Sequence, residues 1–327
     1  MNIHKPIRLG IIGLGHVADF QLSALNHVDG FDLVAVCDKD PAKAEKVRSG
    51  VPFYENPKTL FKEIEMDAAM ISVPHQGHFE LAKLALKSGS DILLEKPLVS
   101  NIDELKVLSR LHDENPNSIH SALHAAFGAE VEWCLKNKQE LKTLDLGQLI
   151  GFHCGFYDPY IQKGKLIESA VQLGGSWIDS AINALSVIGR FISPDKLTLT
   201  KNSKTVIADM NCREIQGLGT FSIYGDDAQI GLGLVDTNWS MGIDQKRTQL
   251  FYENGSLLLD HSKQTVVYID SKNNNKLLAH FSDEHNRLTR HYIGVFKDFK
   301  NNHTSGVTNF TYSRKLHELM FSFYSST

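Results

Sequence analysis

The chain has 327 residues, with 34 Lys and Arg against 38 Asp and Glu and a formal net charge of −4. That length accommodates two domains with their own cores, and the acidic balance, without any lysine/arginine block, argues against a nucleic-acid partner. No apolar stretch approaches the roughly 20 residues that a membrane-spanning helix needs, so no membrane partner is expected.

A first strand is expected over Arg8–Ile12, running into Gly13-Leu14-Gly15-His16-Val17-Ala18. Gly13 lets the chain turn sharply out of the strand, and Gly15 lets the backbone approach a pyrophosphate. Ala18 is small enough to replace the third glycine of the dinucleotide fingerprint. The helix that starts near His16 points free N–H groups and its positive dipole end at phosphates. A second strand, Leu33–Cys37, ends at Asp38, 20 residues after Ala18. An acid there accepts hydrogen bonds from the ribose hydroxyls and repels a 2′-phosphate, which favours NAD and makes NADP the less expected cofactor. Lys39 next door weakens that preference.

Further strands are expected over Ala68–Val73, Asp91–Leu94 and Ser118–Leu123, with amphipathic helices between them. Asp40-Pro41 and Asn56-Pro57 each read as an N-cap followed by proline at the first helical position. The helix through Phe79, Leu81, Ala82, Leu84 and Ala85 should stop at Gly89. Ser100 with Asp103 reads as a capping box for the next helix. This alternation predicts an α/β Rossmann domain, a doubly wound parallel sheet, over residues 1–125.

Residues 126–327 read as a second, α+β domain with a large open-faced, mainly antiparallel sheet. Strand-like runs are Gln148–Tyr157, Thr205–Arg213, Gly217–Tyr224, Gln229–Val235, Arg247–Tyr252, Ser256–Leu259 and Gln264–Ile269. Glu253-Asn254-Gly255-Ser256 is a hairpin turn, and Lys272 to Asn275 a polar loop. Helices are expected at Ser176–Ile188, His285–Lys300 and Tyr312–Ser325.

The strands of an open parallel sheet carry ligands at their C-terminal ends, and Glu95-Lys96-Pro97 lies at such an end. Pro97 biases Lys96 toward extended geometry. A lysine so placed can donate to a substrate oxygen, stabilise a developing alkoxide or relay a proton. Val73, Pro74, His78 and Glu95 join Gly13, Gly15, His16, Val17, Ala18, Asp38 and Lys96 as the expected cofactor-binding set. In the second domain, Asp179 and Asn183 are four residues apart and share a helix face, behind Leu173-Gly174-Gly175, which permits close backbone approach.

Cys37, Cys134, Cys154 and Cys212 are scattered without a CxxC, which suits reduced thiols in a cytoplasm. Met1-Asn2-Ile3-His4-Lys5 leads toward a strand and shows no signal peptide. The 15 histidines are dispersed. His75 and His78 are close, but no cysteine or second acidic cluster completes a site, so no metal is expected.

GLGHVA near the start, His78 before Glu95-Lys96-Pro97 and a glycine-led helix bearing Asp179 together resemble the Gfo/Idh/MocA oxidoreductases over nearly the full chain. The resemblance implies a Rossmann domain, an open-faced second sheet and a homodimer or homotetramer. Most members carry a histidine where this chain has Asn183. An amide cannot act as the base, and Asp179-Ser-Ala-Ile-Asn183-Ala-Leu-Ser resembles the aldose 1-dehydrogenase branch, which oxidises L-arabinose or D-galactose to a lactone. That likeness implies Lys96, Asp179 and Asn183 as the catalytic set. It adds His124 to those three as a substrate-binding residue for a sugar or polyol; Asp158 is the further candidate, at the start of the segment Asp158–Leu173 that should line the sugar pocket and where the likeness stops. An inositol-type polyol dehydrogenase and a keto-sugar reductase use the same parts. A dinucleotide-sensing regulator is the non-enzymatic alternative, and retention of Lys96 and Asp179 argues against it.

Overall fold

The computed structural model describes residues 5–115, 118–207, 212–282, 285–302 and 305–325. The Met1–His4 segment and residues 208–211 of the Thr205–Arg213 run lie outside the described residues. The chain divides into two compact units: residues 1–124 with 285–314, and residues 125–284 with 315–327. The sequence reading assigned all of 126–327 to the second domain; residues 285–314 instead pack with the first unit.

The first unit carries strands β1 (Ile7–Ile12), β2 (Phe31–Cys37), β3 (Phe53–Tyr54), β4 (Ala68–Ile71), β5 (Asp91–Glu95) and β6 (Ile119–Ala122). They form one sheet in the order β3-β2-β1-β4-β5-β6, and every pairing is parallel. Such a sheet is covered on both faces, so its strands are near-continuous apolar runs. Leu9, Ile11 and all of Ala68–Ile71 are buried accordingly. Helices α1 (His16–Leu25), α2 (Pro57–Glu63), α3 (His78–Lys87) and α4 (Ile102–Glu114) connect the strands. Asp40 caps a 3₁₀ turn over Pro41–Lys46, and Asn56 caps α2. The cap of α4 falls one residue later than expected. Asn101 accepts from the N–H groups of Asp103 and Glu104, while Glu104 accepts from Ser100 N.

The second unit begins with α5 (Ala129–Lys136) and α6 (Lys138–Lys142), then β7 (Leu149–Tyr157). A small hairpin of β8 (Ile161–Gln162) and β9 (Lys165–Leu166) follows, then α7 (Glu168–Val171) and α8 (Ser176–Ile188). The remaining strands are β10 (Leu197–Thr205), β11 (Gln216–Tyr224), β12 (Gln229–Asn238), β13 (Gln245–Tyr252), β14 (Gly255–Asp260), β15 (Thr265–Asp270) and β16 (Asn275–His280). They make an eight-stranded sheet, β10-β11-β12-β7-β13-β14-β15-β16, antiparallel except where β12 meets β7. The tenth strand ends where the sequence reading began it, at Thr205, and β16 replaces the end of an expected polar loop. Both are edge strands and largely exposed, so they lack the alternation that reveals a half-buried strand. Helix α8 lies on one face of the sheet, and twelve of its thirteen residues are buried. The last helices are α9 (Arg287–Asn301), which packs on α1 within the first unit, and α10 (Phe310–Ser325).

Candidate active site

The glycine turn forms as its spacing predicts. Gly13 has φ +94°, and a Cβ there would lie 2.6 Å from the Ser72 carbonyl oxygen, so only glycine fits. A Cβ on Gly15, in contrast, would meet nothing within 4 Å. Gly15 is the N-cap of α1, and no side chain caps it. Open space over Gly15 and uncapped N–H groups at His16 and Val17 are what a pyrophosphate requires. Ala18 is fully buried behind them.

Asp38 is 8% exposed. Its Oδ2 accepts from Leu14 N at 2.7 Å and its Oδ1 from Asp40 N at 3.0 Å. The Lys43 ammonium bridges both oxygens at 3.1 and 3.2 Å. Burial opposes its charge, but these donors outweigh burial and hold the carboxyl below its ordinary value. Lys46 reaches the Gly15 carbonyl at 3.3 Å and pairs with Asp19 at 2.7 Å. Nothing in the fingerprint pointed to Lys43; the only signal was its place in the capped turn that Asp40-Pro41 starts.

Lys96 lies between two anchored neighbours. Glu95 is buried and accepts from Gln21 Nε2 at 3.0 Å and Tyr292 Oη at 2.5 Å. Ser72 Oγ donates to the other end of the Gln21 amide at 2.9 Å. Burial raises the Glu95 carboxyl against these donors. On the other side, the ring nitrogens of buried His78 face Pro97 O at 2.8 Å and Val73 O at 2.9 Å. Burial pulls His78 down to about 4, against those two carbonyls. His78 thus joins the end of β4 to the segment after β5, while Pro74 beside it is exposed. His124 Nδ1 meets His291 Nδ1 at 3.3 Å. Burial first, then the cations Lys96 and Arg287, push His124 down to about 3. A neutral imidazole of this kind exchanges hydrogen bonds rather than protons near neutrality.

In the second unit, α8 starts against Glu214, which is fully buried. Trp177 N donates to Glu214 Oε1 at 2.9 Å, and Ser176 N to Glu214 O at 3.0 Å. A Cβ on Gly175 would lie 2.2 Å from Glu214 Oε1, which explains that glycine. Trp177 stacks on Phe323 at 4.0 Å and donates to Met320 O at 2.9 Å. These contacts fix the helix that presents Asp179, 8% exposed, and Asn183, its one residue that is not buried. Asn183 Oδ1 is itself buried and has no hydrogen-bond partner among the described residues.

Asp158, just past β7, pairs with Lys246 at 2.8 Å and accepts from Ser180 Oγ at 3.2 Å. The same hydroxyl lies 3.4 Å from Asp179 Oδ2. Burial raises the Asp158 carboxyl; Lys246 opposes this and Asp179 adds to it. The second unit therefore brings Asp158, Asp179 and Ser180 together. Ser180 and Lys246 were not expected from the sequence, because β13 supplies Lys246 from a distant segment.

An open parallel sheet with this strand order and this glycine turn is a dinucleotide-binding domain. Residues 7–123 match the model of the oxidoreductase family with NAD-binding Rossmann fold. Galactose 1-dehydrogenase of Pseudomonas fluorescens is 26% identical over 284 residues, covering 80% of this chain and 84% of that protein. Myo-inositol 2-dehydrogenase of Thermotoga maritima is 22% identical over 306 residues, covering 92% and 89%. The crystal structure of an oxidoreductase from Agrobacterium radiobacter, in complex with NAD+, L-tartaric acid and magnesium, has a TM-score of 0.77 at 16% identity. It covers 98% of this chain and 96% of that one.

Proposed function

We propose that the protein oxidises a CH–OH group of a sugar or polyol with NAD, in the manner of an aldose 1-dehydrogenase that yields a lactone. The observation that carries this reading is the face of α8. Asn183 Oδ1 is buried and orphaned one helical turn from Asp179. A buried acceptor left unpaired costs about 1–3 kcal/mol, and a hydroxylated ligand removes that cost. Bound NAD accepts the hydride. Gly13, Gly15, His16, Val17 and Ala18 would hold its pyrophosphate, Asp38 with its partner Lys43 would meet its adenosine ribose, and Val73, Pro74, His78 and Glu95 would build the wall behind Lys96. Asp179 takes the hydroxyl proton, Lys96 stabilises negative charge on that oxygen, and Asn183 orients the ligand. His124 hydrogen-bonds the substrate without changing charge. Asp158 keeps acceptor capacity beyond Lys246 and Ser180 for a sugar hydroxyl.

The galactose 1-dehydrogenase relative supports an aldose. The inositol dehydrogenase relative keeps a cyclic polyol as the second reading. The test is NADH appearance with D-galactose, L-arabinose, myo-inositol and related sugars. Turnover on an aldose with lactone as product is the expected result. Asp179→Asn should cut it about 100-fold and remove the acidic limb of the pH profile, whereas Asn183→Ala should chiefly raise KM. Tight NAD binding without NADH from any of these would favour a regulator instead.

We also propose a cytoplasmic homo-oligomer. All four cysteines are free thiols, and no helix among the described residues is long and apolar enough to cross a membrane. Away from α8, the eight-stranded sheet exposes Leu232 (55%), Phe251 (37%) and Leu277 (60%). Leu232 and Phe251 both register with Gly151 of β7, so they share the outer face.

A further inference from the structure

We propose that Lys43 sets the cofactor choice of this enzyme, by closing Asp38 as an acceptor for ribose and offering its own ammonium to a 2′-phosphate, so that NADP(H) is bound as well as NAD(H). This inference concerns the cofactor alone and does not depend on the substrate reading.

A carboxylate presents about four acceptor positions. In Asp38 two are taken by the Leu14 and Asp40 N–H groups, and Lys43 bridges the other two. The acid expected to recognise ribose hydroxyls is therefore saturated by its own chain. For NAD(H), a ribose hydroxyl has to displace Lys43 from Asp38. That exchange replaces an ion pair by a neutral contact. For NADP(H), the displacement is unnecessary or is compensated, because the ammonium faces a phosphate carrying up to two charges. The repulsion that makes an acid at this position select against 2′-phosphate is cancelled by a cation 3.1 Å from it. Lys43 is 30% exposed against 8% for Asp38, so the lysine is the member of the pair on the solvent side. Lys39, next to Asp38, is exposed and adds a second positive charge without bonding the carboxylate. Lys46 is already paired with Asp19 and stays with the glycine turn.

Saturation by Lys43 predicts effects of opposite sign for the two cofactors. Removing the ammonium frees Asp38 for ribose and exposes its charge to a 2′-phosphate. The experiment is direct titration of the intact protein with NADH and NADPH, followed by nicotinamide fluorescence. Lys43→Met, Lys43→Arg and Lys39→Met are compared with wild type. The ratio Kd(NADPH)/Kd(NADH) should rise about tenfold or more in Lys43→Met, the loss of one charge-assisted contact. NADH should bind equally or more tightly in that variant, which also reports that the site is folded. Lys43→Arg should keep the wild-type ratio. Titration with 2′,5′-ADP against 5′-AMP should reproduce the shift without the nicotinamide half. A smaller rise in the ratio, an equal rise in Lys39→Met, or loss of NADH binding in Lys43→Met would overturn the proposal and leave Lys43 as a staple of its turn.

Discussion

Lys96, proposed to act on the substrate oxygen, is set in place by its two chain neighbours. Glu95 before it is held by Gln21 and Tyr292, and Pro97 after it by His78. The place of Lys96 was legible, because a strand ending in Glu-Lys-Pro after a dinucleotide fingerprint has few alternatives. Its support was not legible: Gln21 and Tyr292 lie 74 and 197 residues from Glu95, and no local pattern links them. Lys96→Met keeps the stem and removes the donor. NADH binding should stay close to wild type by fluorescence titration, while turnover on the identified sugar falls about 100-fold or more. Near-normal turnover would reduce Lys96 to a solvated charge. Asp38 teaches the converse lesson. Its position was readable from spacing, but its saturation by Lys43 depends on side-chain geometry in the turn that follows.

At the scale of elements, α8 was readable in full. Its glycine lead and apolar run mark Ser176–Ile188, the span that forms. The partner that caps it was hidden, since Glu214 comes from the approach to β11. Burial, partly offset by Trp177 N–H, Tyr324 Oη, Arg213 and Lys204, raises Glu214 to about 7. An acid with a raised folded pKa binds its proton more tightly when folded. Stability from this group is therefore present below its unfolded value of 4.5 and is lost as pH rises toward about 7. Glu214→Gln cannot ionise but still accepts from Trp177 N. Denaturant melts at pH 5 and pH 8 should show the variant gaining on wild type by on the order of 3 kcal/mol over that interval. Parallel pH dependences for the two proteins would show that Glu214 titrates normally. The elements that escaped sequence reading are two-residue β3, the short helices α5 to α7, the β8–β9 hairpin and the largely exposed edge strands β10 and β16.

At the scale of the molecule, the outer sheet face carries the oligomer proposal. Light scattering should give the mass of a dimer or tetramer for wild type, and Leu232→Glu with Phe251→Glu should shift it to the monomer. A wild-type monomer at micromolar concentration would end the proposal. The return of residues 285–314 to the first unit has its own consequence, for the ribosome. Phe31 of β2 rests on Phe296 and Phe299 of α9, and Glu95 waits for Tyr292. Translation adds about 5–20 residues per second, so the half-finished dinucleotide domain stays open for roughly ten to thirty seconds while the second unit is made. The unit that begins the chain therefore closes only after residues 125–284 of the other unit have been made, and that unit in turn takes the last residues, 315–327. A nascent chain stalled near residue 284 should expose apolar surface around Phe31 to chaperones, and the released chain should hide it.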